Sequence, residues 1–229
     1  MSDPRYAIYF VPAAATPLYR FGAAVLGYDC RSGQDVPFID GVDPASWPAI
    51  VREPKVYGFH ATLKAPIRLA DGVSEGDLVR AVSEFAARQE AVPQAPLALR
   101  TLGSFIALVP AGEADGINHL AADCVRVFDY LRAPLTPDDR ARRLKSPLTP
   151  RQIEYLDRWG YPYVFEDFRF HMTLTGALAP SDLERVLPFL RERFEQVPRA
   201  HVVHLDRIVI ARQDGASMPF RVMHEAALR

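Results

Sequence analysis

This chain of 229 residues has few cysteines, a net charge close to zero and no long apolar runs. The two cysteines, Cys30 and Cys124, lie in apolar helical patterns, and we expect both to be buried free thiols. Lys and Arg number 27 against 28 Asp and Glu, so the net charge of −1 gives no global attraction to nucleic acid or to a membrane surface. Any site for an anion must therefore be local.

Membrane and export signals are also missing from the sequence. No apolar stretch approaches the roughly 20 residues that cross a bilayer, and the N-terminus lacks a basic segment followed by an apolar run and a cleavage site. We therefore expect no membrane span, no secretory signal and a cytoplasmic location. The chain is 49% hydrophobic, which is enough for a sizeable core, and no linker-like segment divides it. Residues 1–229 are therefore interpreted as a single domain.

One short motif is present twice, as residues 60–63 and 171–174. Each copy lies in a run rich in aromatic and β-branched residues and bounded by Gly or Pro, which predicts strands over 57–66 and 168–176. Side chains alternate along a strand, so each run has a polar face opposite an apolar one. Both polar faces carry an imidazole, a hydroxyl and a cation. They are formed by His60, Thr62 and Lys64 in the first run and by Arg169, His171 and Thr173 in the second.

The rest of the chain alternates between predicted strands and helices. Strands are predicted at 6–11, 97–101, 105–109, 202–210 and 220–225, a long surface loop at 30–56, and helices at 16–29, from 74, around 120–131, at 149–160 and from 181. One motif in each half indicates two pseudo-symmetric lobes around one cleft. The basic run at 138–145, with Arg140, Arg142, Arg143 and Lys145, is more typical of a solvated face than of a binding patch.

Three chemistries could use a repeated imidazole and hydroxyl. A metal site needs more ligands, because no carboxylate or cysteine accompanies either histidine at a ligand spacing. Serine-type catalysis needs a nucleophile elbow, and no G-x-S-x-G occurs. In-line attack on a phosphodiester fits better, since one imidazole can act as base and the other as acid. The two Thr hydroxyls can then donate to phosphate oxygens, while Lys64 and Arg169 neutralise charge.

The motifs and their flanks resemble the two-histidine (2H) phosphoesterase superfamily, in the branch associated with phosphonate-utilisation operons. The residues that carry this resemblance are 6–10, 57–66, 132–136, 158–163 and 168–176. The resemblance implies an α+β fold, bilobal, with two pseudo-symmetric lobes of antiparallel sheet and outer helices around a central cleft. It also implies that His60 and His171 are the acid/base pair, that Thr62 and Thr173 bind phosphate, and that no metal or other cofactor is needed. Lys64, Arg169 and Tyr57 are the expected substrate-binding residues.

One departure from the superfamily pattern concerns the substrate. Members that act on cyclic-phosphate RNA ends often carry Arg three residues after the second motif Thr, where this chain has Gly176. This difference and the balanced charge disfavour RNA. We therefore expect metal-independent hydrolysis of a small cyclic phosphodiester of a sugar or nucleotide, in phosphonate breakdown. The alternatives are a 2',3'-cyclic phosphodiesterase of RNA ends, a non-catalytic phosphate-ligand binding protein, and a metal-dependent hydrolase. Which histidine is the base stays open at this point.

Overall fold

The computed structural model describes residues 4–229, which contain ten strands and seven α-helices. The strands are β1 (Arg5–Phe10), β2 (Tyr28–Asp29), β3 (Gln34–Asp35), β4 (Ala61–Ile67), β5 (Val92–Leu102), β6 (Phe105–Pro110), β7 (Met172–Thr173), β8 (Val202–Leu205), β9 (Arg207–Gln213) and β10 (Arg221–Ala227). The helices are α1 (Pro17–Leu26), α2 (Trp47–Lys55), α3 (Glu75–Ala86), α4 (Asp115–Val127), α5 (Pro137–Arg143), α6 (Pro150–Trp159) and α7 (Pro180–Glu195). Within this part of the chain, no helix combines the length and the apolar character needed to span a bilayer.

Eight strands form one antiparallel sheet in the order β10-β9-β1-β4-β7-β6-β5-β8. The sheet divides between β4 and β7 into two lobes of four strands. Helix α3 contacts strands of the first lobe, α7 contacts strands of the second, and α4 contacts β4 and β5, one strand in each lobe. The expected α+β class with two antiparallel lobes is therefore confirmed. The lobes are not the two halves of the sequence, because β9 and β10 return from the C-terminus to pair beside β1.

Several helix starts follow from residues that satisfy free backbone N–H groups. Thr16 accepts from the amide of Tyr19, and Ser74 and Thr149 each form a complete capping box. Helix α1 ends earlier than predicted, at a left-handed Gly27. Helix α7, predicted from residue 181, begins one residue earlier at Pro180, and the preceding Ala179 offers no side-chain cap.

The predicted surface loop at 30–56 is wrong in its second half, which forms α2. Trp47 is buried at the start of this helix and donates its indole N–H to the carbonyl of Val25. Ile50 and Val51 are buried on the same helix. A helix this short is marginal by itself, so packing of its apolar face stabilises it more than local propensity does. The sequence offered a weak local signal, and tertiary contacts decided the structure.

The first motif is anchored to helix α1 through its neighbour Phe59. Phe59 is fully buried, and its ring lies where a side chain at Gly22 would stand: a Cβ added there would fall 2.1 Å from the Phe59 Cγ atom. Glycine at this position therefore permits the close approach of the ring to the helix. Because Phe59 immediately precedes His60, this contact fixes the position of the backbone at His60, just before β4.

We predict that Gly22→Ala destabilises the protein although alanine favours helix. The clash with Phe59 should lower the free energy of unfolding by about 1–3 kcal/mol. Urea denaturation checks this, with Gly76→Ala in α3 as the matched control. A Cβ at Gly76 meets only the Ser74 hydroxyl at 3.5 Å, so that variant should be neutral or stabilised by up to about 1 kcal/mol. Equal stability of the Gly22 variant and wild type would contradict the close approach.

Candidate functional site

The two motifs lie side by side at the junction of the lobes. Strands β4 and β7 pair antiparallel with Ala61 opposite Met172. This register sets Thr62 opposite His171 and His60 opposite Thr173, on one face of the two strands. Both strands are shorter than predicted, and each histidine lies immediately before its strand rather than within it.

Both imidazoles are held by the same backbone contact. The Nδ1 atom of His60 lies 2.8 Å from the carbonyl oxygen of Gly58, and Nδ1 of His171 lies 2.7 Å from that of Arg169. A carbonyl only accepts, so Nδ1 carries the hydrogen in each ring. The Nε2 atom of each ring is therefore the one available for proton transfer. In the neutral His60 ring, Nε2 accepts from the Thr62 hydroxyl at 3.1 Å.

The surroundings of His60 disfavour its charged form. Tyr9 stacks on the imidazole with ring centroids 3.8 Å apart, and the Tyr57 ring lies 6.2 Å away. Burial lowers the pKa of His60 to about 4, against the opposing hydrogen bond to the Gly58 carbonyl and with a smaller contribution from the charge of His171. His60 is therefore neutral at physiological pH.

His171 borders a cavity of about 510 Å³ that Thr62 also lines. The Phe105 ring lies 5.8 Å from the imidazole. The wall is largely apolar, and its aromatic members are Phe105, Tyr161, Tyr163, Phe165 and Phe168. We call this space the histidine pocket. Another cavity, of about 550 Å³, lies beside α2 and contains none of the motif residues.

Phe165 stands in the wall of the histidine pocket with strained backbone. Its φ of 53° is in the left-handed region that non-glycine residues rarely adopt. Trp159 contacts its ring edge-on at 5.2 Å, and the Arg126 guanidinium lies 4.8 Å from the ring centroid. These contacts hold the residue in place, so the wall is fixed by packing around an aromatic side chain.

Arg169 and Tyr57 lie at the surface beside the motifs. Arg169 is exposed, lines the histidine pocket and donates from Nη1 to the carbonyls of Glu166 and Phe168. Tyr57 is 36% exposed and stacks on Phe220 at 5.4 Å. Both side chains are therefore placed where a ligand beside the histidines could reach them.

The prediction that Lys64 stands on the polar cleft face is wrong. Its side chain is buried, with the ammonium 3.0 Å from the Val125 carbonyl and 3.1 Å from Oδ1 of Asp129. The cause is a β-bulge at Leu63: one step along β1 corresponds to two steps along β4 between the pairs at residues 62 and 64. A bulge breaks the alternation of side chains and redirects those that follow it.

Buried charge at Lys64 is balanced within a small network. Burial lowers the pKa of Lys64, and Asp129 opposes that shift. Burial alone would raise the pKa of Asp129, but Arg132 and Lys64 outweigh it and the net shift is downward. Lys64 therefore acts as a structural cation between β4 and the end of α4.

Gly176 occupies the position where RNA-end members of the resembling superfamily often carry arginine. Its amide donates to the Ile50 carbonyl of α2 at 2.7 Å. A Cβ there would lie 3.4 Å from that carbonyl oxygen and 3.5 Å from Oε2 of Glu53. Helix α2, which lies in the segment predicted as a loop, thus packs against the backbone at the point where an arginine side chain would begin.

Three residues of the site were not predicted from the sequence. Tyr9 and Phe105 pack against the two imidazoles from β1 and β6, and Tyr161 lines the histidine pocket. An aromatic residue in a strand is usually core, so only the strand order brings these rings to the histidines. Among residues 4–229, no three His, Cys, Asp or Glu side chains are grouped as a metal site would require.

The chain resembles proteins of one family and a set of solved structures. A family model described as "Protein of unknown function (DUF1045)" matches residues 62–221. Two curated relatives are named ribose 1,5-bisphosphate phosphokinase PhnN. The one from Janthinobacterium sp. (strain Marseille) is 38% identical over 96% of this chain and 49% of its own length. The one from Laribacter hongkongensis (strain HLHK9) is 37% identical over 78% of this chain and 42% of its own length. The chain thus spans about half the length of these relatives.

Two solved structures of low sequence identity match this chain along nearly its whole length. E. coli LigT complexed with NADP+ is 13% identical with a TM-score of 0.44, covering 99% of both chains. Kluyveromyces marxianus Usb1 is 11% identical with a TM-score of 0.40, covering 96% of this chain and 98% of its own.

We predict that Asp129→Ala unfolds more easily because it leaves the Lys64 ammonium buried without a carboxylate. Breaking a buried pair in this way costs about 3–5 kcal/mol. Urea denaturation measures the loss, and Asp123→Ala is the matched control. Asp123 pairs with Arg126 at the surface, so its removal should change stability by less than about 1 kcal/mol.

The same comparison tests whether Lys64 has a role in the cleft. Lys64→Met removes the charge with little change of volume and leaves Asp129 paired with Arg132. We expect this variant to keep its turnover and to be more stable than Asp129→Ala. Slower turnover with unchanged stability would return Lys64 to the substrate-binding set.

Proposed function

The chain belongs to the DUF1045 family, and we propose that it is a phosphodiesterase that opens a small cyclic phosphodiester by acid–base catalysis with His60 and His171. The observation that carries this proposal is the matched pair of imidazoles. Both have Nδ1 fixed to a carbonyl, which leaves Nε2 as the atom for proton transfer, and they lie at the starts of neighbouring strands with a threonine opposite each ring. An in-line displacement needs such a pair, one group on the attacking side and one on the leaving side.

His60 is proposed as the base and His171 as the acid. Burial beneath Tyr9 keeps His60 neutral, so its Nε2 can take the proton of the attacking water. The water oxygen bonds to phosphorus while the bond from phosphorus to one ring oxygen breaks. That oxygen takes the Nε2 proton of His171. The products are a phosphate monoester and a free hydroxyl, and both histidines return to their starting states by exchanging protons with solvent.

The hydroxyls of Thr62 and Thr173 are proposed to donate to the non-bridging phosphate oxygens. Each lies opposite the histidine of the other motif, so a phosphate between the rings contacts both. Such donors stabilise the charge that grows on the transferred group. Arg169 and Tyr57 are proposed to contact the rest of the substrate at the mouth of the site. Lys64 is left out of this set because its ammonium is buried against Asp129.

The proposed substrate is a ribose cyclic phosphate that carries a second phosphate. The curated relatives are named for ribose 1,5-bisphosphate phosphokinase, and this chain matches only half of their length. Hydrolysis of a ribose 1,2-cyclic phosphate that bears a 5-phosphate yields ribose 1,5-bisphosphate when the phosphate stays on O1. In those relatives, the half that this chain does not match would consume the product that the matched half supplies. Phosphonate breakdown is the proposed setting.

The aromatic wall of the histidine pocket supports a second candidate, a nucleoside 2',3'-cyclic phosphate. Rings such as Phe105 and Tyr163 could stack on a nucleobase. Gly176 and the balanced charge of the chain speak against RNA ends. A screen of cyclic phosphodiesters with and without a base distinguishes the two candidates. Binding without hydrolysis of any of them would favour the non-catalytic phosphate-ligand protein instead.

We predict that both histidines are needed for turnover on the best substrate of this screen. His60→Ala and His171→Ala should each lower kcat by roughly 10²–10⁴-fold, the usual contribution of one positioned acid or base. His201→Ala serves as the control, because that ring packs on Phe194 of α7. A single motif variant with nearly full activity would leave only a phosphate-binding cleft.

The pH dependence assigns the two roles. Protonation of the base removes activity, so kcat/KM of the wild type should fall as pH drops through about 4, the pKa to which burial lowers His60. Loss of the proton on the acid should produce a second, basic limb. His171→Gln should keep the acid limb and lose the basic one, and His60→Gln should do the reverse. The opposite pattern would exchange base and acid.

We predict that hydrolysis survives chelation. The described chain groups no three potential ligands, and the histidines and threonines supply the acid, the base and the hydrogen-bond donors. Activity after dialysis against EDTA should stay within about twofold of the untreated enzyme. The control is the same sample with Zn²⁺, Mg²⁺ or Mn²⁺ returned. Loss of activity on chelation with recovery on adding one ion would favour the metal-dependent hydrolase.

A further inference from the structure

Five arginines line a small pocket of about 50 Å³ on the first lobe. They are Arg5, Arg68, Arg132, Arg142 and Arg143, and we call this space the arginine pocket. Asp139 is the one acidic side chain in its wall. Two of the arginines belong to the basic run that was predicted to be a solvated face. Arg140 fits that prediction, because it pairs with Asp157 at the surface. Arg143 is half-buried, and its guanidinium lies over the Tyr161 ring at 5.0 Å.

Carboxylates neutralise only part of this charge. Asp139 pairs with both Arg68 and Arg142, and its pKa is lowered chiefly by the hydrogen bond from Arg68. Asp129 pairs with Arg132, but it also balances Lys64. The pocket and Lys64 thus bring six cations against two carboxylates, in a chain whose net charge is −1.

Arg5 and Arg143 are the two members without a carboxylate partner among residues 4–229. Arg5 donates to the neutral amide oxygen of Gln213 and lies over the Phe220 ring at 5.6 Å. Arginines held by an amide and by aromatic faces keep their charge free for an anion. A guanidinium binds phosphate through two parallel N–H groups, which gives a strong and directional contact.

A cavity of about 10 Å³ lies between the arginine pocket and the histidine pocket and shares wall residues with both. This cavity shares Pro66, Ile67 and Gly160 with the arginine pocket. It shares Ala65, Val125, Tyr161 and Val164 with the histidine pocket. Strand β4 and the segment after α6 therefore line all three adjoining cavities, and we call this row of cavities the path.

Aromatic contacts link the two free arginines to the histidine side of this path. Arg143 lies on Tyr161, which also lines the histidine pocket. Arg5 lies on Phe220, whose ring stacks on Tyr57 beside His60. The positive end of the path is therefore held at a fixed place relative to the imidazoles.

We propose that the arginine pocket, through Arg5 and Arg143, binds a second phosphate group of the substrate while its cyclic phosphate lies at His60 and His171. This inference rests on the proposed function and assigns a binding site to the second phosphate of the proposed substrate. The second phosphate anchors the substrate through groups that take no part in the reaction. It makes the enzyme selective for phosphorylated sugars over cyclic phosphates that lack the distal group.

The kinetic test compares two substrates in wild type and variants. Ribose 1,2-cyclic phosphate with a 5-phosphate is compared with the same compound without it. Wild type should favour the first in kcat/KM, and Arg143→Gln and Arg5→Gln should each reduce that preference about 10- to 100-fold, the usual contribution of one charge-assisted contact. Arg193→Gln is the matched control: it also lies over an aromatic ring, that of Phe189, but lines neither pocket. Loss on both substrates alike would overturn the proposal.

A binding test separates this inference from the proposed function. Calorimetry with ribose 1,5-bisphosphate and with ribose 1-phosphate needs no hydrolysis. Wild type should bind the bisphosphate at least tenfold more tightly, and the Arg5→Gln/Arg143→Gln double variant should lose this difference while remaining folded by circular dichroism. Tighter binding without any hydrolysis would sustain the anion site and remove the phosphodiesterase. Hydrolysis of cyclic phosphates with equal binding of the two probes would overturn the anion site alone.

Discussion

The backbone pairing of β4 with β7, with Ala61 opposite Met172, is the contact on which the fold and the site both depend. It joins two four-stranded lobes into one sheet, and it sets the two His-x-Thr motifs beside each other in opposite directions. Buried neighbours on the apolar side, Phe59 and Leu174, hold this register. A slip of one residue would turn the imidazoles and hydroxyls into the core, which makes the register strongly specified. The same strand register therefore determines both the packing of the core and the geometry of the site.

Matched motifs end in unequal surroundings. Both rings have Nδ1 bound to the carbonyl two residues earlier. Tyr9 from the neighbouring strand covers His60, however, while His171 borders the open histidine pocket. The sheet is pseudo-symmetric in its strands but not in the side chains that its lobes contribute. This inequality of burial is what divides a pair of identical groups into a proposed base and a proposed acid.

The distance of a cation from the motifs in the sequence does not predict its distance from the site in the structure. Lys64 lies two residues from a motif threonine, yet a bulge turns it toward α4, where Asp129 balances it. Arg143 lies in a charged run far from either motif, yet it packs on Tyr161 next to the histidine pocket. Strand geometry and helix placement set the local charge near a reacting group. A chain of net charge −1 can therefore still concentrate positive charge in the arginine pocket.

The α+β class was implied by the resemblance of the two motifs to a known superfamily. The local sequence was enough to predict the polar and apolar faces of these motifs and the helices capped by Ser74 and Thr149, because strand alternation and capping depend on residues close together in the chain. It could not determine helix α2, which is stabilised by the burial of Trp47, or the bulge that redirects Lys64. The cover of Tyr9 over His60 and the convergence of Arg5 and Arg143 were likewise decided only by the tertiary structure. These features depend on which distant strands become neighbours. Burial and ion pairing act between residues far apart in the sequence, and no local pattern encodes that such residues lie close together.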